Sequence, residues 1–207
     1  MAYVRCGRGV SGLLLLLAAL VAGAAPARAQ DGALRVADFE GGKAENVSGL
    51  AVAPLADEQL GGLSEVRLAV SHPGAKSTKS ALRISFHMAD GFQYPFAGAW
   101  VFLGAEGLAA DLSAYRGLRF YARSEGGAFA AGAGQFSGGQ ATRSMAVFEA
   151  KPEWTLVEVP FDKLQRVPPA GASSPFVPKD VTSIGFSVSS RLRGDFALEI
   201  DELELYK

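Results

Sequence analysis

Hydrophobic positions along this chain recur at every second residue. Val66, Leu68 and Val70 alternate with polar or small neighbours, and Leu82, Ile84, Phe86 and Met88 do the same. The pattern returns at Leu118, Phe120 and Ala122, at Val157, Val159 and Phe161, at Ile184, Phe186 and Val188, and at Phe196, Leu198 and Ile200. A period of two places alternate side chains on opposite faces of a β-strand, so each run has one face for a core and one for solvent. The runs are five to eight residues long and end in Gly, Pro, Ser or Asp, residues that favour turns for reasons of backbone geometry and local hydrogen bonding. Many short, half-buried strands predict an all-β fold, a two-sheet antiparallel β-sandwich of the jelly-roll kind. Outside the first 29 residues no segment of ten or more carries a helical period. Gly104 to Ser113 is the best helical candidate, and its glycines limit it to one turn or none.

Three stretches depart from the alternation. Pro168 to Pro178 holds four prolines and reads as an irregular loop. Gly126 to Gln140 is rich in Gly and Ala and reads either as a pair of small-residue strands or as a loop. Near the C-terminus the phase slips: Phe196, Leu198 and Ile200 share one parity, Leu203 and Leu205 the other. A slip inside one strand implies a β-bulge at Asp201-Glu202, and a bulge bearing two carboxylates is either a solvated turn or a position for a metal ligand.

Residues 1–29 have the form of a signal peptide. Arg5 and Arg8 precede an apolar run from Leu13 to Val21, and Ala27-Arg28-Ala29 offers a small-x-small cleavage site. The run is too short to cross about 30 Å of hydrocarbon, and no second spanning stretch follows. The expected mature chain is one β-sandwich domain, residues 30–207, periplasmic or extracellular, with no membrane span. Cleavage near Ala29 removes three arginines and the lone Cys6, leaving 17 basic against 21 acidic residues and no thiol. A chain with that balance and no Lys/Arg cluster lacks the electrostatic footprint of a nucleic-acid binder. Asn46-Val47-Ser48 is a glycosylation sequon for a host that uses one.

Catalytic motifs are absent from the sequence. Gly185-Phe186-Ser187-Val188-Ser189 fails as a nucleophile elbow at its last position and lies within an expected strand. The two histidines, His72 and His87, stand in no ligand motif, and His87 is expected on the solvent side of its strand. Glu199-Ile200-Asp201-Glu202-Leu203-Glu204 resembles the E-x-D-x-x-E strand of family 16 glycoside hydrolases. Alternation puts Glu199 and Asp201 on one face, while the phase slip sends Glu204 to the other unless the bulge corrects it. Calcium, which takes six to eight oxygen ligands, is the better metal expectation: Asp38, Glu40 and Asp201 would share one structural ion if the first and last strands lie together. A ligand face is suggested by aromatic residues beside hydrogen-bonding ones: Tyr94, Trp100, Tyr121, Arg123 and Gln135 are the candidates, because rings stack on the apolar face of sugars while Arg and Gln bond their hydroxyls.

With these residues in view, the chain resembles the complex I intermediate-associated protein 30 family, which is similar in fold to family 11 carbohydrate-binding modules and to galactose-binding-like jelly rolls. The resemblance begins at Asp38-Phe39-Glu40 and is sharpest at Asp57-Glu58-Gln59-Leu60-Gly61-Gly62-Leu63-Ser64. It continues through Asp111 to Leu118 and Trp154 to Phe161, with Trp154 expected as a core anchor, and closes on Phe196 to Leu203. The usual G-G-F segment is replaced by Tyr94-Pro95-Phe96-Ala97-Gly98. The resemblance implies a non-enzymatic sandwich whose partner is a carbohydrate or a protein. Glycan binding is the first expectation, assembly of a protein complex outside the cytoplasm the second, and a glycosidase or lyase on the same fold the third.

Overall fold

A computed structural model describes residues 32–137, 140–167 and 176–207; the proposed signal peptide and most of the proline-rich stretch lie outside them. Among the described residues twelve strands follow one another: β1 (Leu34–Ala37), β2 (Ala53–Ala56), β3 (Glu65–Ser71), β4 (Ala81–Met88), β5 (Ala97–Phe102), β6 (Gly117–Arg123), β7 (Phe129–Ser137), β8 (Gln140–Phe148), β9 (Thr155–Pro160), β10 (Gln165–Arg166), β11 (Val181–Val188) and β12 (Gly194–Tyr206). They form two six-stranded sheets. The first runs β3-β4-β12-β6-β9 with β1 also on β12, and the second runs β10-β8-β7-β11-β5-β2. Every pairing is antiparallel. The expected two-sheet antiparallel sandwich is the observed one. Gly104 to Ser113 contributes only a single 3-10 turn, Ala105–Gly107.

Strand β12 organises the first sheet. Its first half pairs with β4 (Ile200 opposite Leu82), its second half with β1 (Leu205 opposite Leu34), and β6 runs along its other side. The first and last strands therefore do lie together. Between the two halves the register with β6 shifts from Asp201 to Glu204, and Glu202 has a φ of 50°. The bulge read from the phase slip is present, and the extra residue returns Glu204 to the face of Glu199 and Asp201, opposite Arg119.

The predicted inward parity is met most fully on the central strands, while Val66, Leu68, Val157 and Phe196 are half-buried against the same core. Leu82, Ile84, Phe86, Met88, Leu118, Phe120, Ala122, Ile184, Phe186, Val188, Leu198 and Ile200 are all buried between the sheets. Phe120 from the first sheet meets Phe148 and Phe186 from the second edge-on, with centroids 5.2 and 5.0 Å apart. Burying each such ring contributes about 1.5–3 kcal/mol, and edge-to-face geometry adds to that.

Where β5, β11 and β7 lie side by side, both faces of the second sheet are closed. Gly98, Trp100, Gly132, Gly134 and Gly185 all point outward by parity, yet all are buried. The glycines leave a trough in which the Trp100 ring lies flat: a Cβ on Gly185 would overlap the ring, and one on Gly134 would come within 3.3 Å of it. This is why Gly126 to Gln140 reads equally as strands or as a loop, and strands are what it forms. Small residues on both sides erase the alternation that marks a half-exposed one.

Candidate functional site

The outer face of the first sheet carries the cluster of charge. Arg83, Glu199 and Arg123 stand side by side on β4, β12 and β6. Glu199 is only 8% exposed. One of its oxygens accepts Arg83 Nη1 at 2.8 Å; the other accepts Arg123 Nε and Nη2 at 3.0 and 2.7 Å and the Ser71 hydroxyl at 2.9 Å. Burial works against ionisation of Glu199, but the hydrogen bonds from Arg123, Ser71 and Arg83 outweigh it and hold the carboxyl below its ordinary range. Glu199 is thus a fixed anion, and both guanidinium groups are pinned by it.

Next to this hub lies an open groove of about 620 Å³ lined by Arg83, Arg123, Ser124, Glu125, Asp195 and Glu199, with Ala197 and Phe196 among its apolar lining. A second depression shares Arg83, Glu125, Asp195 and Ala197 and extends along β3 and β4 to Arg67 and His87. His87 is exposed as expected and meets Asp195 at 2.7 Å. The wall at Ser124 is tied down: its hydroxyl lies 2.9 Å from the Gly126 carbonyl and 2.7 Å from that of Ala197. The groove therefore offers donors held on β4 and β6 by Glu199, with the exposed carboxylates of Asp195 and Glu125 on its lining.

Further along the same face, Asp201 is fully buried beneath the loop of residues 72–80. Its Oδ2 accepts the Ala75 N–H at 2.8 Å and faces the Thr78 hydroxyl at 2.6 Å, while Oδ1 accepts the Glu202 N–H. Burial pushes its carboxyl above the ordinary range, and the nearby charge of Glu40 pushes the same way. Glu40 caps the other end of the loop, accepting the N–H groups of Lys79 and Ser80 at 2.9 Å. Of the three carboxylates expected to share calcium, Asp201 and Glu40 are neighbours. Asp38 instead accepts the Glu40 N–H and faces Arg35 at 3.7 Å. Among the described residues no three Asp, Glu, His or Cys side chains form a metal-ligand group.

The five residues expected on one ligand face are not brought together. Tyr121 and Arg123 are neighbours on the outer face of the first sheet. Trp100 lies on the outer face of the second, 7% exposed. Gln135 donates to the carbonyls of Val177 and Lys179 and so ties down a loop. Tyr94 stands apart in the connection before β5, 72% exposed. Trp154 is no core anchor: it precedes β9 on the outward parity, half-buried under the Arg123 guanidinium, 4.7 Å from its ring. Asn46 of the sequon is buried, its Nδ2 donating to the Phe102 carbonyl at 2.8 Å, so the folded chain presents no free amide there. Asp201 is covered and Glu199 is locked, so the two acids that resembled a hydrolase pair do not face a common cleft as free carboxyls.

Sequence reasoning missed what Asp57 does. This fully buried carboxylate accepts the Ser64 N–H at 2.8 Å and the Phe96 N–H at 3.0 Å, and the Ser64 hydroxyl accepts the Ala89 N–H. Gly61 turns the chain with a φ of 87°, and a side chain on Gly62 would strike the Asp57 carboxylate. The D-x-x-x-G-G-x-S segment is therefore a staple joining two loops, and it holds Leu60, Leu63 and Tyr94 outward, at 66%, 64% and 72% exposed. The signal was available in the spacing, but its partner, the Phe96 amide, is 39 residues away.

Residues 39–200 match the complex I intermediate-associated protein 30 family. No curated protein matches the chain by sequence. Among solved structures it is similar to the family 11 carbohydrate-binding module of a cellulosomal cellulase of Clostridium thermocellum, at 18% identity and TM-score 0.65 over 86% of this chain and 96% of that one. It is also similar to the Clostridium thermocellum family 11 module in complex with a β-1,3-1,4-mixed-linked tetrasaccharide, at 19% identity and TM-score 0.61 over 86% and 97%. A family 30 carbohydrate-binding module follows at 17% and 0.54 over 75% and 94%. At these identities the likeness is one of fold. The chain belongs to the complex I intermediate-associated protein 30 family.

Proposed function

We propose that this member of the family is an exported, non-catalytic binding module whose groove beside Glu199 takes a neutral, hydroxyl-rich ligand, in the first place a glycan chain. One observation carries the reading: Arg83 and Arg123 are fixed on Glu199 before any ligand arrives, with Asp195 and Glu125 across the same groove. Fixed donors beside exposed acceptors suit hydroxyl groups, each of which both gives and accepts a hydrogen bond, and prior fixation of the donors lowers the ordering cost of binding. The two guanidinium charges are outnumbered by the three carboxylates Glu199, Asp195 and Glu125, which disfavours an anionic ligand and suits a neutral one. The fold likeness to carbohydrate-binding modules supports a glycan, and a mixed-linked β-1,3-1,4-glucan is a sensible first probe. Export rests on the character of residues 1–29 alone.

Affinity electrophoresis in soluble β-glucan, xylan and galactan tests the reading. Retardation by at least one is expected, together with its loss in Ala197→Trp, which fills the groove from its lining. Ala197 is half-exposed on the outer face, so the melting temperature should stay within a degree or two of the parent. Retardation that survives Ala197→Trp moves the site elsewhere; no retardation by any neutral polysaccharide removes the glycan reading.

A second reading, assembly with a protein partner, is favoured by the exposed Leu60, Leu63 and Tyr94 held out by the Asp57 staple. An apolar group fixed on a rigid turn suits a protein contact.

A further inference from the structure

Two aromatic rings on the outer face of the first sheet lie under cations, and the two cations are held differently. Trp154 lies under Arg123, which cannot leave without breaking two hydrogen bonds to Glu199. Tyr121 lies under Lys76, whose ammonium sits 4.6 Å from the ring centroid. Lys76 is exposed and has no ion-pair partner among the described residues. What holds it in place is its backbone. Asp201 grips the loop at Ala75 and Thr78, and Glu40 grips it at Lys79 and Ser80. Between those grips Lys76 and Ser77 have φ values of 47° and 70°, a left-handed conformation that is unfavourable for residues with a Cβ and persists where the surroundings enforce it. A strained backbone thus carries a flexible, unpaired side chain over an aromatic face.

Tyr121 is two residues from Arg123 on the same face of β6, so it continues the line of the groove. We propose that Tyr121 is a stacking platform for one sugar ring beyond the Arg83–Arg123 hub, and that Lys76 is its removable cap, swinging into solvent when the apolar face of a pyranose takes its place on the ring. This rests on the glycan reading. Trp154 stays shut in both states. The cap sets a threshold: a sugar must displace an exposed cation–π contact, worth a two- to five-fold change in affinity.

The test compares the parent with Lys76→Ala, Tyr121→Ala and the double variant, each checked for an unchanged melting temperature, in soluble β-glucan, xylan and galactan. Lys76→Ala is expected to bind about two- to five-fold more tightly. Tyr121→Ala should bind more weakly, and the double variant no better than Tyr121→Ala. Proton NMR reads the cap directly: the Lys76 side-chain methylenes should be shifted upfield by the Tyr121 ring in the free protein and should lose that shift when the bound polysaccharide saturates. Binding that is sensitive to Ala197→Trp but indifferent to Lys76→Ala and Tyr121→Ala overturns the cap and leaves the groove standing. Weaker binding by Lys76→Ala makes Lys76 a direct contact and also overturns it. If no variant binds any of the three polysaccharides, cap and groove fall together.

Discussion

At one level of the first sheet the outward residues in register across three strands are Arg83, Glu199 and Arg123. At one level of the second they are Trp100, Gly185 and Gly132. The first row is made of long side chains that meet through charge and leave an open groove. The second is made of side chains so small that a single indole covers two strands. A face built from fixed polar groups can recognise something. A face paved by one flat ring over glycine is closed by the chain itself and behaves as a second, thin core. The consequences for substitution differ in kind: the second face is intolerant of added volume, and the first of lost charge.

The largest effect is therefore expected from adding one methyl group to the paved face. A Cβ on Gly132 would overlap the Ser144 carbonyl and come within 2.8 Å of the Met145 Cα, both backbone atoms of the paired strand. Backbone cannot rotate away as a side chain can, so the β7–β8 ladder must open. Gly132→Ala should cost roughly 3 kcal/mol, at the upper end for overpacking. Gly185→Ala meets the Trp100 ring instead and should cost less, because a ring can tilt. Urea unfolding midpoints compare the two; equal stability of Gly132→Ala and the parent would dissolve the distinction between the faces.

Smaller is the cost of removing the anion from the charged face. Glu199→Ala strands two guanidinium groups that share one acceptor, but Arg83 is 46% and Arg123 29% exposed, so water recovers much of the loss. About 1–2 kcal/mol is expected, below that of a fully buried pair. Binding should suffer more than stability, because Arg83 and Arg123 lose their orientation. A variant that unfolds more easily yet binds as well as the parent would break the link between the hub and the groove.

The two faces also differ in how far they can be read from sequence. The first-sheet strands found by alternation carry polar residues on the outer face, such as Arg67, Arg83, Arg119 and Glu158, and the bulge at Asp201-Glu202 showed itself as a change of phase. Strands β5 and β7 gave no such signal, because Gly98, Gly132 and Gly134 sit where polar residues would normally mark the outside. At the site, parity identified Tyr121 and Arg123, and the likeness to a hydrolase strand drew notice to Glu199. It did not reveal that Glu199 would be locked by Arg83, 116 residues away, or that Lys76 would arrive over Tyr121. Those contacts come from strand order, which alternation does not encode. Trp154 was misplaced for a related reason: a large ring at the start of a strand reads as core, and only its register beside Arg123 puts it outside.

The smallest effect expected is a change in the slope of stability with pH, and it separates two carboxylates two residues apart on β12. In the folded chain Asp201 keeps its proton to higher pH than in the unfolded chain, chiefly because burial disfavours its charge. The geometry agrees: the Thr78 hydroxyl lies 2.6 Å from both the Asp201 carboxyl and the Ala75 carbonyl, with only one proton to give, so a proton on Asp201 completes the set. As pH falls from neutral toward the ordinary aspartate range, the folded state gains this proton first and stability rises; as pH rises through the same window that contribution is lost. Glu199 behaves oppositely. Its folded pKa is depressed, so its contribution is present above the ordinary glutamate value and disappears as pH falls below it. Glu202 is raised by burial as well, so the two residues need separating by substitution. Urea midpoints across pH 3–7 should lose the rise in Asp201→Asn and lose the fall in Glu199→Gln. Calcium sharpens the contrast, because a cation held by Asp201 and Glu40 would favour the ionised form. Were such an ion held, millimolar calcium would abolish the rise and raise the melting temperature at pH 7; with Asp201 fully buried and both carboxylates already accepting N–H groups, no increase is expected. An unchanged melting temperature would assign the loop clamp to the proton on Asp201 rather than to a metal.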